Sequence, residues 1–224
     1  MTASSRSNSP APAPAPDPES RLFRPDILKR LDYRAIFGNG LPVELELGAG
    51  DGSFLVRYAA ETPDRNFLGI ERLLGRLRKI DRKVRTAGIH NVRGIRLEAG
   101  YLLEWMIPPA SLAAIHVYFP DPWPKRRHWR HRLVNEAFSR LAGSALIPGG
   151  SVFLRTDHSG YFEQMQRVFA AAAGFESCTT PDGLLAVKTD FESAFNAQGI
   201  PTRVLTYRKT SDAAASPGAC VSAG

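Results

Sequence analysis

The 224-residue chain contains only two cysteines, Cys178 and Cys220, and they lie far apart in the sequence. Neither belongs to a C-x-x-C pair or to a Cys/His cluster, which argues against both a disulfide framework and a zinc site. The remaining sequence contains no motif with metal-ligand spacing. We therefore expect a protein that holds no metal.

Long apolar segments are also missing. No run approaches the roughly 18 apolar residues that a membrane-spanning helix needs. Residues 1–20 are rich in Pro, Ala and Ser and lack the apolar core of a secretory signal. We expect a cytoplasmic protein in which residues 1–20 and 211–224 are disordered and residues 21–210 form one folded domain.

Acidic residues are fewer than basic ones. The chain has 29 Lys and Arg against 22 Asp and Glu, which gives a formal net charge of +7. Such an excess favours polyanionic partners, because neutralising phosphates releases condensed counterions. A coding bias toward arginine would produce the same excess without such a partner, so the charge alone does not decide between them.

Short apolar runs alternate with amphipathic segments from about residue 41. Helical patterns cover residues 51–62, 72–88, 101–106, 132–146, 161–174 and 191–198, and strand patterns cover 42–50, 66–71, 91–98, 111–119, 148–157, 175–180 and 202–209. This alternation predicts an α/β fold, a doubly wound, mainly parallel seven-stranded sheet of the Rossmann-like type with a closing antiparallel hairpin. In such sheets the carboxyl ends of the strands meet at one edge, where ligands bind.

The first strand ends in the turn "ELELGAGDG", with glycines at 48, 50 and 52 after Glu46. A pyrophosphate-binding G-x-G-x-x-G would need glycine where Ser53 stands, and Asp51 would repel a phosphate. A turn flanked by Glu46 and Asp51 better suits a cofactor that carries positive charge, such as S-adenosylmethionine. The alternative is a plain strand-to-helix turn.

Acids also end the next two strands. Glu71 stands where an acid binds the ribose hydroxyls in nucleoside-binding α/β folds, and Glu98, beside Ala99, is placed to border an adenine. Glu71 would equally serve a helix start, and Glu98 would equally be an exposed acid at a strand end. Three successive strands that end in acids favour an adenosine-containing, cationic cofactor.

The stretch "YFPDPWPKRRHWRHR", residues 118–132, follows the fourth strand. Pro120 and Pro122 restrict the backbone, so they present Asp121 on a rigid turn at the binding edge, with aromatic side chains able to wall a planar base. Five cations follow, which we predict to contact phosphates at a helix start: Lys125, Arg126, Arg127, Arg130 and Arg132. The alternative is a structural proline turn with a core aromatic.

Six motifs together resemble the bacterial tRNA (guanine-N7)-methyltransferases in order and spacing, over about residues 40 to 208: "ELGAGDG", "FLGIE", "YFPDPWPKRRHWRHRL", "PGG", "RTDHSGY" and "KTDFESAFNAQG". The resemblance implies a class I methyltransferase fold that uses S-adenosylmethionine to methylate N7 of a guanine in the variable loop of tRNA. We expect a monomer that needs no partner subunit.

By the same resemblance Asp121 is the catalytic residue and also borders the cofactor. The implied cofactor-binding residues are Glu46, Gly48, Gly50, Glu71, Glu98, Ala99 and Asp121. The implied substrate-binding residues are Lys125, Arg127, His128, Asp157, Thr189, Asp190, Phe191 and Glu192. Three positions depart from the family pattern: Glu98 where many members have Asp, Pro124 where His or a basic residue is common, and His131 where Arg is common.

Three other functions compete with this interpretation. A methyltransferase of the same fold acting on a protein or a small molecule would not need the basic stretch or "TDFE". An RNA-binding module without activity would not need the acids that follow the strands. An NAD(P)-dependent oxidoreductase would need the third glycine of the dinucleotide motif.

Overall fold

The computed structural model describes residues 20–210, and the segments predicted to be disordered lie outside these residues apart from Ser20. The strands are β1 (Leu22–Phe23), β2 (Val43–Leu47), β3 (Asn66–Ile70), β4 (Val92–Ile95), β5 (Leu112–Tyr118), β6 (Leu146–Thr156), β7 (Phe175–Ser177) and β8 (Arg203–Lys209). They form one sheet in the order β1-β4-β3-β2-β5-β6-β8-β7.

The sheet has the predicted architecture. All pairs are parallel except those that β8 makes with β6 and β7, which form the antiparallel closing pair. The doubly wound α/β prediction is therefore confirmed, but the sheet has eight described strands and not seven. The extra edge strand, β1, has two residues, which is too short for any hydrophobic period to reveal.

Helices cover the sheet and are joined by short loops. They are α1 (Tyr33–Phe37), α2 (Ser53–Glu61), α3 (Leu74–Thr86), α4 (Ala99–Tyr101), α5 (Glu136–Ala145), α6 (Ser159–Ala170), α7 (Asp182–Ala186) and α8 (Asp190–Ala197). A π-helical turn, Leu102–Met106, continues α4, and Arg126–His131 forms a 3₁₀ segment. Across residues 20–210, no helix is both long enough and apolar enough to cross a membrane.

The basic stretch does not lead directly into a helix, so that prediction is wrong. Helix α5 begins at Glu136, where the side chain of Asn135 accepts a hydrogen bond from the Phe138 amide at 3.0 Å. Arg132 has an extended backbone, and its side chain donates to the Pro122 carbonyl at 2.7 Å. The helix therefore begins four residues after Arg132, and its dipole does not reinforce the basic segment.

A buried polar network crosses the middle of the sheet. A carboxylate oxygen of Glu44 lies 2.7 Å from His116 Nε2, and His116 Nδ1 lies 2.8 Å from the Tyr118 hydroxyl. Burial opposes ionisation of Glu44, but hydrogen bonds and charge from His116 and Arg65 outweigh it and lower the pKa of Glu44. The network holds Tyr118 at the end of β5, directly before the proline turn.

Candidate active site

The carboxyl ends of β2 and β5 lie side by side where the strand order reverses, which is where ligands bind in doubly wound sheets. Two cavities open there. The larger, of about 580 Å³, is lined by Glu71, Glu98, Ala99 and Asp121 among others. The smaller, of about 390 Å³, is lined by Glu46, Gly50 and the segment 189–191. Both cavities share Gly48, Arg76, Tyr118 and Phe119, so they form one cleft.

Glu46 is a buried carboxyl group without a matching donor. It is 4% exposed, and its Oε2 atom has no hydrogen-bond partner among the described residues. Burial raises the pKa of Glu46 to about 8, an effect that Arg155 opposes and Asp51 increases. Because an unpaired buried charge is costly, this carboxyl group fits a ligand that brings a cationic hydrogen-bond donor.

The glycine turn leaves room over its backbone. Gly48 and Gly50 have φ angles of 74° and 58°, a conformation that favours glycine. The amides of Gly48 and Ala49 both donate to the Ile70 carbonyl, each at 2.9 Å, which fixes the turn against β3. Nothing lies within 4 Å of the position that a Cβ atom on Gly48 would take. A ligand can therefore approach the backbone closely.

Asp51 is not the isolated negative charge that the sequence suggests. Its Oδ2 atom accepts a hydrogen bond from Lys83 Nζ at 2.7 Å, and its Oδ1 atom accepts from the Ser53 amide at 3.2 Å. Burial acts to raise the pKa of Asp51, but the hydrogen bond and charge of Lys83, together with Ser53, lower it below its usual range. The selectivity of the turn for a cation therefore depends on Glu46.

Glu71 and Glu98 each serve a helix start as well as the larger cavity. Glu71 accepts from the Leu73 amide at 2.8 Å and lies 3.8 Å from the Arg76 guanidinium. Glu98 is the N-cap of α4 and accepts from the Tyr101 amide at 2.8 Å. A carboxylate has more acceptor sites than these bonds use, so cap and ligand contact are compatible.

The turn that carries Asp121 has a strained backbone. Phe119 and Trp123 have φ angles of 50° and 42°, and positive φ at a bulky residue costs on the order of 1–3 kcal/mol. The Phe119 amide donates to the Arg155 carbonyl at 2.8 Å, and the Trp123 amide donates to Asp121 Oδ1 at 3.0 Å. These bonds hold the exposed Asp121 carboxylate at the larger cavity.

The basic segment divides into exposed and structural cations. Lys125 and Arg127 are exposed, and neither they nor His128 lines either cavity of the cleft. Arg132 is 1% exposed, lies between the Trp129 and Tyr161 rings, and donates to Gln164 at 2.8 Å. These contacts anchor the segment to α6, but Arg132 also lines the larger cavity and its Nη2 atom has no hydrogen-bond partner among the described residues, so its phosphate contact stays a prediction.

The histidines of this segment are arranged around Trp123. Their ring centroids lie 5.8 Å (His128) and 5.1 Å (His131) from the Trp123 ring. Arg127 donates to His128 Nε2 at 3.1 Å, and Arg130 donates to His131 Nε2 at 3.4 Å. His131 and Arg130 line the larger cavity with Trp123, so an aromatic and basic wall faces Asp121.

The late motif lies over the smaller cavity. Thr189 is the N-cap of α8 and accepts from the Glu192 amide at 2.9 Å, and Thr189, Asp190 and Phe191 line the cavity. Glu192 is instead 4% exposed and accepts from Arg155 at 2.8 Å. Asp157, after β6, lines neither cavity of the cleft. The structure therefore brings residues 189–191 to the cleft but not Glu192 or Asp157.

Sequence reasoning missed Arg155. This residue is 1% exposed, donates to the carbonyls of Leu184 and Val187 and to Glu192, and lies 4.4 Å from the centre of the Tyr118 ring. It thereby ties the segment before α8 to the sheet beneath the cleft. No local pattern signals this role, since an arginine near a strand end usually faces solvent.

Sequence reasoning also did not single out Arg76, which lines both cavities. It is one of several arginines on α3. Only the way the helix is oriented against the sheet brings Arg76 to the cleft, and the sequence does not show that orientation. Residues 20–210 contain no group of three or more His, Cys, Asp or Glu side chains that could hold a metal ion.

Comparison with known proteins finds methyltransferases as relatives of this chain. A family model described as "Putative methyltransferase" matches residues 41–203. The chain is 34% identical over 189 residues to the tRNA (guanine-N(7)-)-methyltransferase of Geobacter metallireducens, covering 82% of this chain and 90% of that protein. It is 34% identical over 199 residues to the protein of the same name from Halorhodospira halophila, covering 86% of each.

Solved structures show the same fold. The crystal structure of the 16S rRNA methyltransferase KamB superposes with a TM-score of 0.58 at 16% sequence identity, covering 80% of this chain and 93% of that one. At this level of identity the likeness establishes the class of fold and nothing finer.

Proposed function

The chain belongs to the tRNA (guanine-N(7)-)-methyltransferase family, and on this premise we propose that it transfers a methyl group from S-adenosylmethionine to N7 of a guanine in the variable loop of tRNA. One observation carries the proposal. The unpartnered Glu46 carboxyl and the strained Asp121 turn open onto a single cleft at the point where the sheet reverses its strand order.

The residues of the cleft fit this cofactor. Glu46 supplies the acceptor that an amino-acid ammonium group needs, and the turn at Gly48 and Gly50 allows close approach. Glu71 is suited to the ribose hydroxyls, and Glu98 and Ala99 to the adenine. When bound, the cofactor supplies an electrophilic methyl group on a sulfonium.

Guanine N7 has an in-plane lone pair and no proton to remove, so the chain needs no strong general base. Its task is to orient the base. Asp121 accepts hydrogen bonds from the N1–H and exocyclic amine of guanine, which become more acidic as positive charge enters the ring. A fixed carboxylate then attracts the base more strongly in the transition state than in the ground state, which is how it lowers the barrier.

Several other groups hold the substrate in this proposal. Phe119 and Trp123 offer flat faces to the base, and Phe191, 5.0 Å from Phe119 between ring centroids, extends that wall. The exposed residues Lys125 and Arg127 and the half-buried His128, with Thr189 and Asp190, contact the surrounding nucleotides. Asp157 and Glu192 remain predicted substrate contacts on the family resemblance alone.

The deciding experiment incubates the purified full chain with labelled S-adenosylmethionine and unmodified tRNA, followed by nucleoside analysis. We expect labelled 7-methylguanosine, and none from a tRNA whose variable-loop guanine has been replaced by adenine. Absence of 7-methylguanosine from the unaltered tRNA would refute the proposal. We further propose that the protein acts in the cytoplasm as a monomer that needs no partner subunit. Light scattering of the active protein tests the monomeric state through the molar mass.

A further inference from the structure

Helix α3 carries a stripe of cations that the catalytic proposal does not use. Arg72 precedes the helix, and Arg76, Lys79 and Lys83 follow it at spacings of four, three and four residues. Residues so spaced lie on one side of a helix. Leu77, Ile80 and Val84 bury the adjoining side, so the stripe borders the protein surface.

The amino-terminal end of this stripe reaches the cleft. Arg72 and Arg76 line the larger cavity, and Arg76 also lines the smaller one. The Arg76 guanidinium lies 3.8 Å from Glu71, and Lys83 is bound to Asp51. Arg72 and Lys79 are exposed. Arg76 is exposed as well, and Lys79 lines neither cavity, so Arg72 and Lys79 are distinguished as the exposed members of the stripe that form no ion pair within residues 20–210.

Acids do not neutralise the stripe from within the helix. The one acid of α3, Asp81, accepts hydrogen bonds from the Arg21 amide at 2.6 Å and the Ser20 hydroxyl at 3.3 Å. The first turn of α3 contains no acidic residue. A phosphate that approaches Arg72 and Lys79 therefore does not meet a competing carboxylate of the same helix.

Arg130 and His131 also line the larger cavity; they follow β5, whereas α3 follows β3, on the other side of β2. The cavity that holds Asp121 thus opens between two basic elements, α3 on one side and the 3₁₀ segment on the other. An enzyme that flips a base out of a folded nucleic acid must supply the energy that unstacks it, and backbone contacts on both sides of the nucleotide would contribute to that energy. Phosphate contacts of this kind position the chain without reading its sequence.

We propose that α3 is a second phosphate-binding element, in which Arg72 and Lys79 contact the RNA backbone on one side of the target guanine while the 3₁₀ segment contacts it on the other. This inference rests on the proposed function, because it takes RNA as the substrate. The proposal identifies the exposed face of α3 as the surface along which the RNA chain leaves the cleft.

The test compares two double variants that each remove two positive charges. Arg72→Ala/Lys79→Ala removes the proposed contacts. The matched control is Arg34→Ala/Arg208→Ala, since both residues are exposed and line neither cavity. Arg34 lies beside Gly40, ahead of β2, and Arg208 pairs with Ser151, which itself pairs with Ala114 near the start of β5. Both therefore lie toward the amino-terminal ends of the parallel strands, opposite the cleft. Binding of unmodified tRNA is measured from 0.05 to 0.5 M salt.

Each lost phosphate contact reduces the slope of log affinity against log salt by about 0.7 to 0.9. The Arg72/Lys79 variant should therefore lose roughly 1.6 from the slope. If affinities converge at 1 M salt, this variant binds tRNA about twentyfold more weakly at 0.15 M. The control variant should keep both the wild-type slope and the wild-type KM for S-adenosylmethionine.

A slope for the Arg72/Lys79 variant equal to that of the control would overturn the inference. If the double variant does not unfold cooperatively, Lys79→Gln alone should lose about half as much slope, and a wild-type slope there would have the same meaning. Failure of the proposed function is a separate result, because the wild-type chain would then form no 7-methylguanosine.

Discussion

Replacement of Glu46 by Gln tests the electrostatics of the cleft, because Gln keeps the shape of the side chain and cannot ionise. Burial raises the pKa of Glu46 to about 8 from an ordinary 4.5. A carboxyl whose pKa is higher in the folded state stabilises the fold fully below the unfolded value of 4.5 and loses that contribution as the pH rises through 8. The shift corresponds to a loss of at most about 5 kcal/mol, since one pKa unit is 1.36 kcal/mol.

The assay is urea unfolding of the ligand-free protein at pH values from 4.5 to 8.5. The difference in unfolding free energy between wild type and Glu46→Gln isolates this one group, because the other titrations cancel. We expect the wild type to lose stability relative to the variant across this range, by several kcal/mol. A difference that does not change with pH would show that the Glu46 carboxyl is not perturbed.

The same pKa predicts proton release when the cofactor binds. At pH 7 a carboxyl with a pKa of about 8 is about nine-tenths protonated, and pairing with an ammonium group requires the ionised form. Affinity for S-adenosylmethionine should therefore rise by up to about tenfold per pH unit between pH 5.5 and 7.5. Calorimetry in buffers of different ionisation enthalpy measures the released proton. Glu46→Gln should bind weakly and without this dependence, and a pH-independent wild-type affinity would refute the reasoning.

Three further substitutions test other parts of the structure. Asp121→Ala should lower kcat by about a hundredfold or more while the Kd for S-adenosylmethionine changes far less, and single-turnover kinetics showing a wild-type rate would exclude the catalytic role. Arg155→Ala leaves the buried Glu192 carboxylate unpaired and should cost about 3–5 kcal/mol in urea unfolding. The double variant with Glu192→Ala should recover part of that loss, and strictly additive losses would argue against the pair. Asn135→Ala should cost about 1 kcal/mol by removing the N-cap of α5, whereas Asn135→Asp should cost little.

Much of the fold was predictable because its signals are local. Apolar runs that end in glycine or an acid, followed by segments of helical period, define the strand and helix alternation that the sheet confirms. The parallel order then brings Glu46, Glu71, Glu98 and Asp121 to one cleft, as expected from their positions after successive strands. The two-residue strand β1 and the start of α5 were missed, because the first is too short to have a period and the second depends on how Arg132 packs.

By itself, the sequence determined the alternation of strands and helices, the glycine turn, the proline turn that presents Asp121, and the excess of positive charge. Only the tertiary structure decided which charged side chains are buried and with which partners. Arg155 and Glu192 are 37 positions apart in the chain, and Glu44 and His116 are 72 apart. The physical reason is that a charge is stabilised inside a protein only by a partner delivered from another element, and the choice of partner follows from how the sheet is assembled.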